Sequence, residues 1–141
     1  MTRQARVPGT PMNVIGSLMR YLRLYSDASG ESHFEECELA LQEQDYAPPA
    51  DPLLVSEHFP ANAFHIIEMP VGWVGNWHHA PRRQWLTVLA GTAIIRVSDG
   101  EQRTLQAGDL FLVEDTVGRG HYDLNSSDTP LVLAVAICAD A

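Results

Sequence analysis

An all-β sandwich or barrel is the fold class this sequence predicts, on three observations. Short apolar runs alternate residue by residue with polar ones, Gly- and Asp-bearing turns separate them, and they recur at roughly 8–12 residues.

The elements follow in order. "RYLRLYSD" sets Leu22 and Leu24 on one face and Tyr21, Arg23 and Tyr25 on the other, the period of a strand. "SDASGES" is a turn. "HFEECELAL" alternates again through Cys37, Leu39 and Leu41, with Phe34 out of phase. "YAPPADP" cannot continue an element, because its prolines fix φ and lack the N–H that a ladder needs. "LLVSEHF" and "AFHIIEM" come next, separated by Pro60. "WLTVLAGTAIIRV" is two apolar strands turning at Ala90-Gly91, and "VSDGEQRTL" turns at Asp99-Gly100. "AGDLFLVED" is a strand entered through Gly108, and "LVLAVAICA" is apolar on both faces, as a strand covered on both sides should be. Only residues 12–20 read as weakly helical. The expected organisation is an N-terminal extension over 1–20 and one domain over 21–141.

Composition narrows the function. The 141 residues suit a single core, and a content of 45% hydrophobic and 19% charged residues is that of a globular protein. A formal charge of -9, from 18 acids against 9 bases, argues against nucleic acid, whose phosphates need clustered Lys and Arg. No apolar run approaches the ~20 residues of a membrane helix. The N-terminus has no continuous apolar stretch of the signal-peptide kind, since Arg20 and Arg23 soon follow "IGSLM". We therefore expect a cytoplasmic protein, its two cysteines, Cys37 and Cys138, being reduced thiols in strands rather than a disulfide.

One stretch carries chemistry, "GWVGNWHHAPRRQWLTVLAG". Gly72 lies six residues before His78, Gln84 six after it, and Gly91 seven after Gln84. This resembles the first motif of the cupin superfamily, G-x5-H-x-H-x3-E-x6-G, at both glycines and the first histidine. Ala80 stands where that motif has its second histidine, and Gln84 where it has glutamate. "GDLFLVEDTVGRGHYDLN" resembles the second motif, with Gly108 at the strand entrance and His121 four residues before Asn125. Its Pro-x-Gly turn is missing and its loop is longer. Across residues 20 to 138 the chain is similar to small single-domain bacterial cupin proteins with a degenerate metal motif.

The resemblance implies a double-stranded β-helix (jelly-roll) barrel, a homodimer, and a site inside the barrel. On a regular strand His78, Ala80, Arg82 and Gln84 share one face and His79 takes the other, unless a bulge at Pro81 rotates them. His78, Gln84 and His121 are then the candidate ligands of one divalent transition metal, iron, manganese, nickel or zinc. The same residues without a metal make a polar pocket in which His78 or His121 acts as acid or base. Glu114 is a candidate proton carrier, its pKa raised by burial, or else the partner of an arginine. Arg82, Gln84, His65 and Trp77 are candidate substrate contacts, Arg82 as a carboxylate or carbonyl partner. The surface is the alternative place for Arg82 and Arg83, and barrel-mouth packing for Trp77 and Trp85. His33 and His58 are expected to face solvent. Two functions are compatible with this set. One is an enzyme acting on a small organic molecule by proton transfer, of lyase or isomerase type rather than an oxygenase. The other is a non-catalytic binding or sensing cupin that has lost its metal site.

Overall fold

The computed structural model describes residues 16–139. Strands β1 (Gly16–Ser26), β2 (Ser32–Gln44) and β3 (Leu53–Val55) come first. Next come β4 (Ala61–Met69), β5 (Gln84–Ala90), β6 (Thr92–Val97) and β7 (Gln102–Gln106). The last three are β8 (Leu110–Val113), β9 (His121–Asn125) and β10 (Leu131–Cys138). Among the described residues there is no helix, and none long and apolar enough to cross a membrane. Residues 16–20, expected as weakly helical, begin β1, where exposure alternates with every residue. That is strand periodicity, and it overrides a short segment's helix propensity. Residues 12–15 lie outside the described residues.

The chain divides into two compact units. The larger takes Tyr21–Glu36 and everything from Pro60 onward. Its first sheet runs β1-β8-β5-β10-β4, with β1 parallel to β8 (Leu22 opposite Phe111, Leu24 opposite Val113) and the other neighbours antiparallel. Its second sheet runs β7-β6-β9, antiparallel throughout. The two sheets share one core. Leu22, Leu24, Phe111 and Leu131 of the first pack with Ile95 and Val97 of the second. This is a jelly-roll arrangement, and it places the inward side chains of both sheets around a common interior.

The expected turns fall where the glycines stand. Gly91, Gly100 and Gly108 all have positive φ (82°, 97° and 94°), the region that L side chains avoid. Every residue of β10 is buried or half-buried, as its two-faced apolar run requires, because β5 and β4 flank it. His33, expected to face solvent, is half-buried instead, held between two acids. Its Nε2 lies 2.7 Å from Asp27 Oδ2 and its Nδ1 2.8 Å from Asp99 Oδ2.

The smaller unit takes the chain up to Arg20 and Cys37–Phe59. There the end of β2 pairs antiparallel with β3, Gln42 opposite Val55 and Gln44 opposite Leu53. Leu41 is buried, Cys37 and Leu39 are half-buried on the same face, and His58 is exposed. Cys138, in the larger unit, is buried.

Candidate functional site

The site lies within the larger unit, where residues 73–80 run antiparallel to β9. Asn125 N–H donates to Trp73 O at 3.0 Å and Gly75 N–H to Asp123 O at 2.7 Å. His78 and His121 then exchange both backbone bonds, at 3.0 and 2.9 Å. From Trp73 to Gly75 the two segments advance in step, but the next pair joins residue 78 to residue 121. One extra residue is therefore inserted on this side, a bulge. It falls at Asn76, whose φ of 52° is left-handed, a conformation Asn adopts more readily than most residues. The bulge brings His78 opposite His121. On β9, His121 and Asp123 already share a face at i and i+2.

Two glycines admit this approach. A Cβ on Gly120 would stand 2.2 Å from the His78 carbonyl oxygen, and one on Gly75 would stand 1.9 Å from Asp123 Oδ1. A side chain at Gly120 would meet backbone and push the segments apart, and one at Gly75 would displace the Asp123 carboxylate. His78, His121 and Asp123 consequently converge, one ligand atom from each lying within 4.8 Å of the others. The two imidazole centroids are 4.5 Å apart.

Each imidazole is oriented by a partner on Nδ1. His78 Nδ1 donates to Asn76 O at 2.8 Å; a carbonyl only accepts, so the hydrogen sits on Nδ1. His121 Nδ1 donates to Asp115 Oδ2 at 2.6 Å, and Asp115 is fully buried. With Nδ1 engaged on each ring, Nε2 is the nitrogen left for the site, and His121 Nε2 lies 3.8 Å from Asp123 Oδ2. Asp123 Oδ1 is buried with no hydrogen-bond partner among the described residues. Burial pushes the Asp123 carboxyl above its usual range, the nearby imidazoles of His121 and His78 pull it down, and Asp115 adds to the rise; the net shift is upward. Two Nε2 atoms, one carboxylate and Nδ1 partners that fix both rings form a donor set that fits a divalent transition metal.

These groups border a cavity of about 340 Å³. Its walls are apolar, with Leu86, Val88, Ile95, Phe111, Leu131 and Leu133 among them. Gln84 also lines it, so the amide at the expected glutamate position faces the interior. Ala80 lines it too and is buried, leaving room where the first cupin motif has its second histidine.

Other expected contacts lie elsewhere. Arg82 is exposed and does not line the cavity. The assumption of a regular strand fails there, because β5 begins only at Gln84 and Pro81 cannot donate to a ladder. His79 points away, its Nε2 against Gly118 O, as neighbours on an extended chain should. His65 is exposed on β4, the last strand of its sheet, where Ile67 and Met69 supply the wall. Trp77 is about half exposed and packs against Tyr122, with ring centroids 6.0 Å apart. Trp85 packs edge-on against Tyr21. Glu114 does not line the cavity. Burial alone would raise its carboxyl, but hydrogen bonds from Arg83 and Arg23 outweigh burial and hold it below the ordinary range. That is the reverse of a raised proton carrier.

Sequence reasoning singled out His78, Gln84 and His121 but missed Asp123, Asp115 and Trp73. Asp123 was within reach, since it follows His121 by two residues on an expected strand. Asp115, beside Glu114 at the end of an expected strand, and Trp73, beside the motif glycine, carried no signal of a place in the site.

Among solved structures, the chain is similar to the cupin domain of Schizosaccharomyces pombe Cnp3, at 14% identity over 90% of this chain and 86% of that one, with a TM-score of 0.48. A protein from Neisseria meningitidis matches at 20% identity over 52% of this chain and 71% of that one, TM-score 0.42. The capsular polysaccharide assembling protein CapF of Staphylococcus aureus matches at 17% identity, over 83% of this chain but only 30% of its own, TM-score 0.42. No curated protein matches. The family model described as "Cupin domain" matches residues 59–138, more than half the chain and the part that contains every member of the site, and the chain therefore belongs to the cupin family.

Proposed function

We propose that residues 21–141 act as one cupin domain that binds a small organic molecule in the barrel cavity and converts it by proton transfer, in a lyase or isomerase type of reaction. The observation behind this reading is the convergence of His78, His121 and Asp123 at the edge of an otherwise apolar cavity. Perturbed and oriented titratable groups at a cavity wall are the usual mark of a reacting site.

His78, His121 and Asp123 are the residues that would hold a divalent transition metal, and such an ion supplies Lewis-acid polarisation of a ligand oxygen. The chain's own residues do the rest. Asp115 and the Asn76 carbonyl fix the two rings so that both Nε2 atoms face the same point. Asp123 Oδ1 is buried without a hydrogen-bond partner among the described residues, and Oδ2, 3.8 Å from His121 Nε2, is the oxygen turned toward the imidazoles and the one that would take a proton. The Gln84 amide orients the ligand by hydrogen bonds, and the aliphatic walls keep water out. The line Asp115–His121–Asp123, with separations of 2.6 and 3.8 Å, favours a second reading in which no ion is held and His121 Nε2 is the proton acceptor.

Metal analysis of protein made without a histidine tag separates these readings. Stoichiometric iron, manganese, nickel or zinc that is lost in His78→Ala and His121→Ala supports the metal-dependent form. No metal, with no change on refolding in chelator, supports the second. A ligand captured in the cavity that emerges unchanged after long incubation would replace both with a binding or sensing role. We further take the chain as a homodimer, as its family resemblance implies, and as cytoplasmic, as its sequence leads us to expect; light scattering on the eluting protein tests the dimer.

A further inference from the structure

We infer that the ligand of this cavity has an apolar body and a single oxygen-bearing end, and is neither a sugar phosphate nor any molecule charged at both ends. The inference rests on reading the cavity as the ligand site and goes further, to what the walls accept.

The polar groups bordering the cavity are few, and His78, Gln84, His121 and Asp123 come from only three short segments. Leu86 and Val88 of β5, Ile95 of β6, Phe111 of β8, and Leu131 and Leu133 of β10 present carbon from both sheets. A sugar brings a hydroxyl on nearly every carbon. Each hydroxyl pressed against such a wall loses its water partners without replacement, at about 1–3 kcal/mol apiece.

Charge points the same way. The sequence contains no lysine, because Arg3, Arg6, Arg20, Arg23, Arg82, Arg83, Arg96, Arg103 and Arg119 make up all 9 basic residues. None of those among the described residues lines the cavity. Arg23 and Arg83 are committed to Glu114, Arg103 to Glu101, Arg119 to Glu31, and Arg96 to Gln102. The charged side chains that do border it besides the imidazoles are the acids Glu68 and Asp123. Away from the two imidazoles and any ion they hold with Asp123, a phosphate or second carboxylate would meet no cationic side chain among the described residues and would face the Glu68 carboxylate. The absence of lysine also leaves no side-chain amine in the cavity for Schiff-base chemistry.

Size sets the last bound. A cavity of about 340 Å³ is at the small end of ligand pockets and holds on the order of a dozen non-hydrogen atoms. Trp73 in the wall offers an aromatic face and a fluorescence signal.

Two probes of matched shape test this on the protein as purified. 4-Isopropylacetophenone carries one ketone on an apolar body; 4-acetylbenzoate keeps that ketone and puts a carboxylate in place of the isopropyl group. Binding is read by tryptophan fluorescence and by calorimetry. The expected result is saturable binding of the ketone, with the carboxylate analogue at least about tenfold weaker and a hexose phosphate silent. Filling the cavity by Ala93→Phe, or by Leu105→Trp should the first not fold, abolishes the ketone's binding. Equal or tighter binding of the carboxylate analogue, binding of the hexose phosphate, or failure of the ketone to bind overturns the ligand class. None of those results touches the metal analysis of His78 and His121, so the proton-transfer reading is judged separately. Ketone binding that survives in a folded, filled variant overturns the cavity as the ligand site altogether.

Discussion

Glu114 and Asp123 are both carboxylates on the barrel's strands, and their surroundings give them opposite properties. Glu114, one residue past β8, lies between the guanidinium groups of Arg23 and Arg83, which hold its carboxyl low despite its burial. Asp123, within β9, faces two imidazoles, and burial wins, pushing its carboxyl up. Partners, rather than burial alone, decide which acid is a structural clamp and which is available to a proton or an ion. The clamp joins β1 to the entrance of β5, while Asp123 belongs to the cavity.

The sharpest way to break this contrast is through Asp115, the buried support of the Asp123 side. Asp115→Ala strips the acceptor from His121 Nδ1 and leaves that N–H buried and unpaired, at about 2–3 kcal/mol in urea unfolding. Asp115→Asn, whose amide oxygen still accepts, should recover most of the loss; if both variants are equally unstable, the orienting role is wrong. On the clamp side, Glu114→Ala should cost about 1–2 kcal/mol, because two guanidinium groups lose a part-buried partner. It should leave ligand and metal binding unchanged, and a loss of either would return Glu114 to the site.

A second clamp gives a smaller, pH-dependent effect. Hydrogen bonds donated to the Asp27 and Asp99 carboxylates raise the His33 imidazole above its ordinary value of about 6.5. A raised folded pKa means that the stabilisation is fully present below that value and is lost as pH rises through the folded one. The Asp27 carboxyl is held low, chiefly by its hydrogen bond with His33, so its share persists above the usual carboxylate range and fades only as the solution becomes strongly acidic. Melting temperature in His33→Gln should therefore lose part of its fall between neutral and mildly alkaline pH. Identical pH profiles for both proteins would remove the clamp. Smallest of all is Arg82→Ala, expected within about 0.5 kcal/mol of the parent with unchanged ligand binding, since the side chain is exposed outside the cavity.

Much of the barrel was legible because its signals are local. Glycine turns at 91, 100 and 108 and the two-residue alternation of Leu22 and Leu24 depend only on near neighbours. The site was legible where motif spacing sufficed, at His78, Gln84 and His121. It was misread where the path between motif residues mattered. Placing Arg82 inward assumed a regular strand through Pro81, whereas the irregularity that organises the site is the extra residue at Asn76. Glu114 could not be assigned from sequence, since its partners lie 91 and 31 residues away. Asp123 was overlooked for the opposite reason: it follows His121 by only two residues, at a position the second cupin motif leaves unspecified.

In the proposed site Asp123 supplies the carboxylate missing from position 84. Calorimetric titration of Mn²⁺ or Zn²⁺ into chelator-stripped, untagged protein tests this most directly, comparing the parent with Asp123→Asn and Gln84→Ala. The expected result is one ion per chain, at least about tenfold weaker binding in Asp123→Asn, and little change in Gln84→Ala. An unchanged Asp123→Asn beside a weakened Gln84→Ala, or a parent protein that takes up no ion, would contradict it.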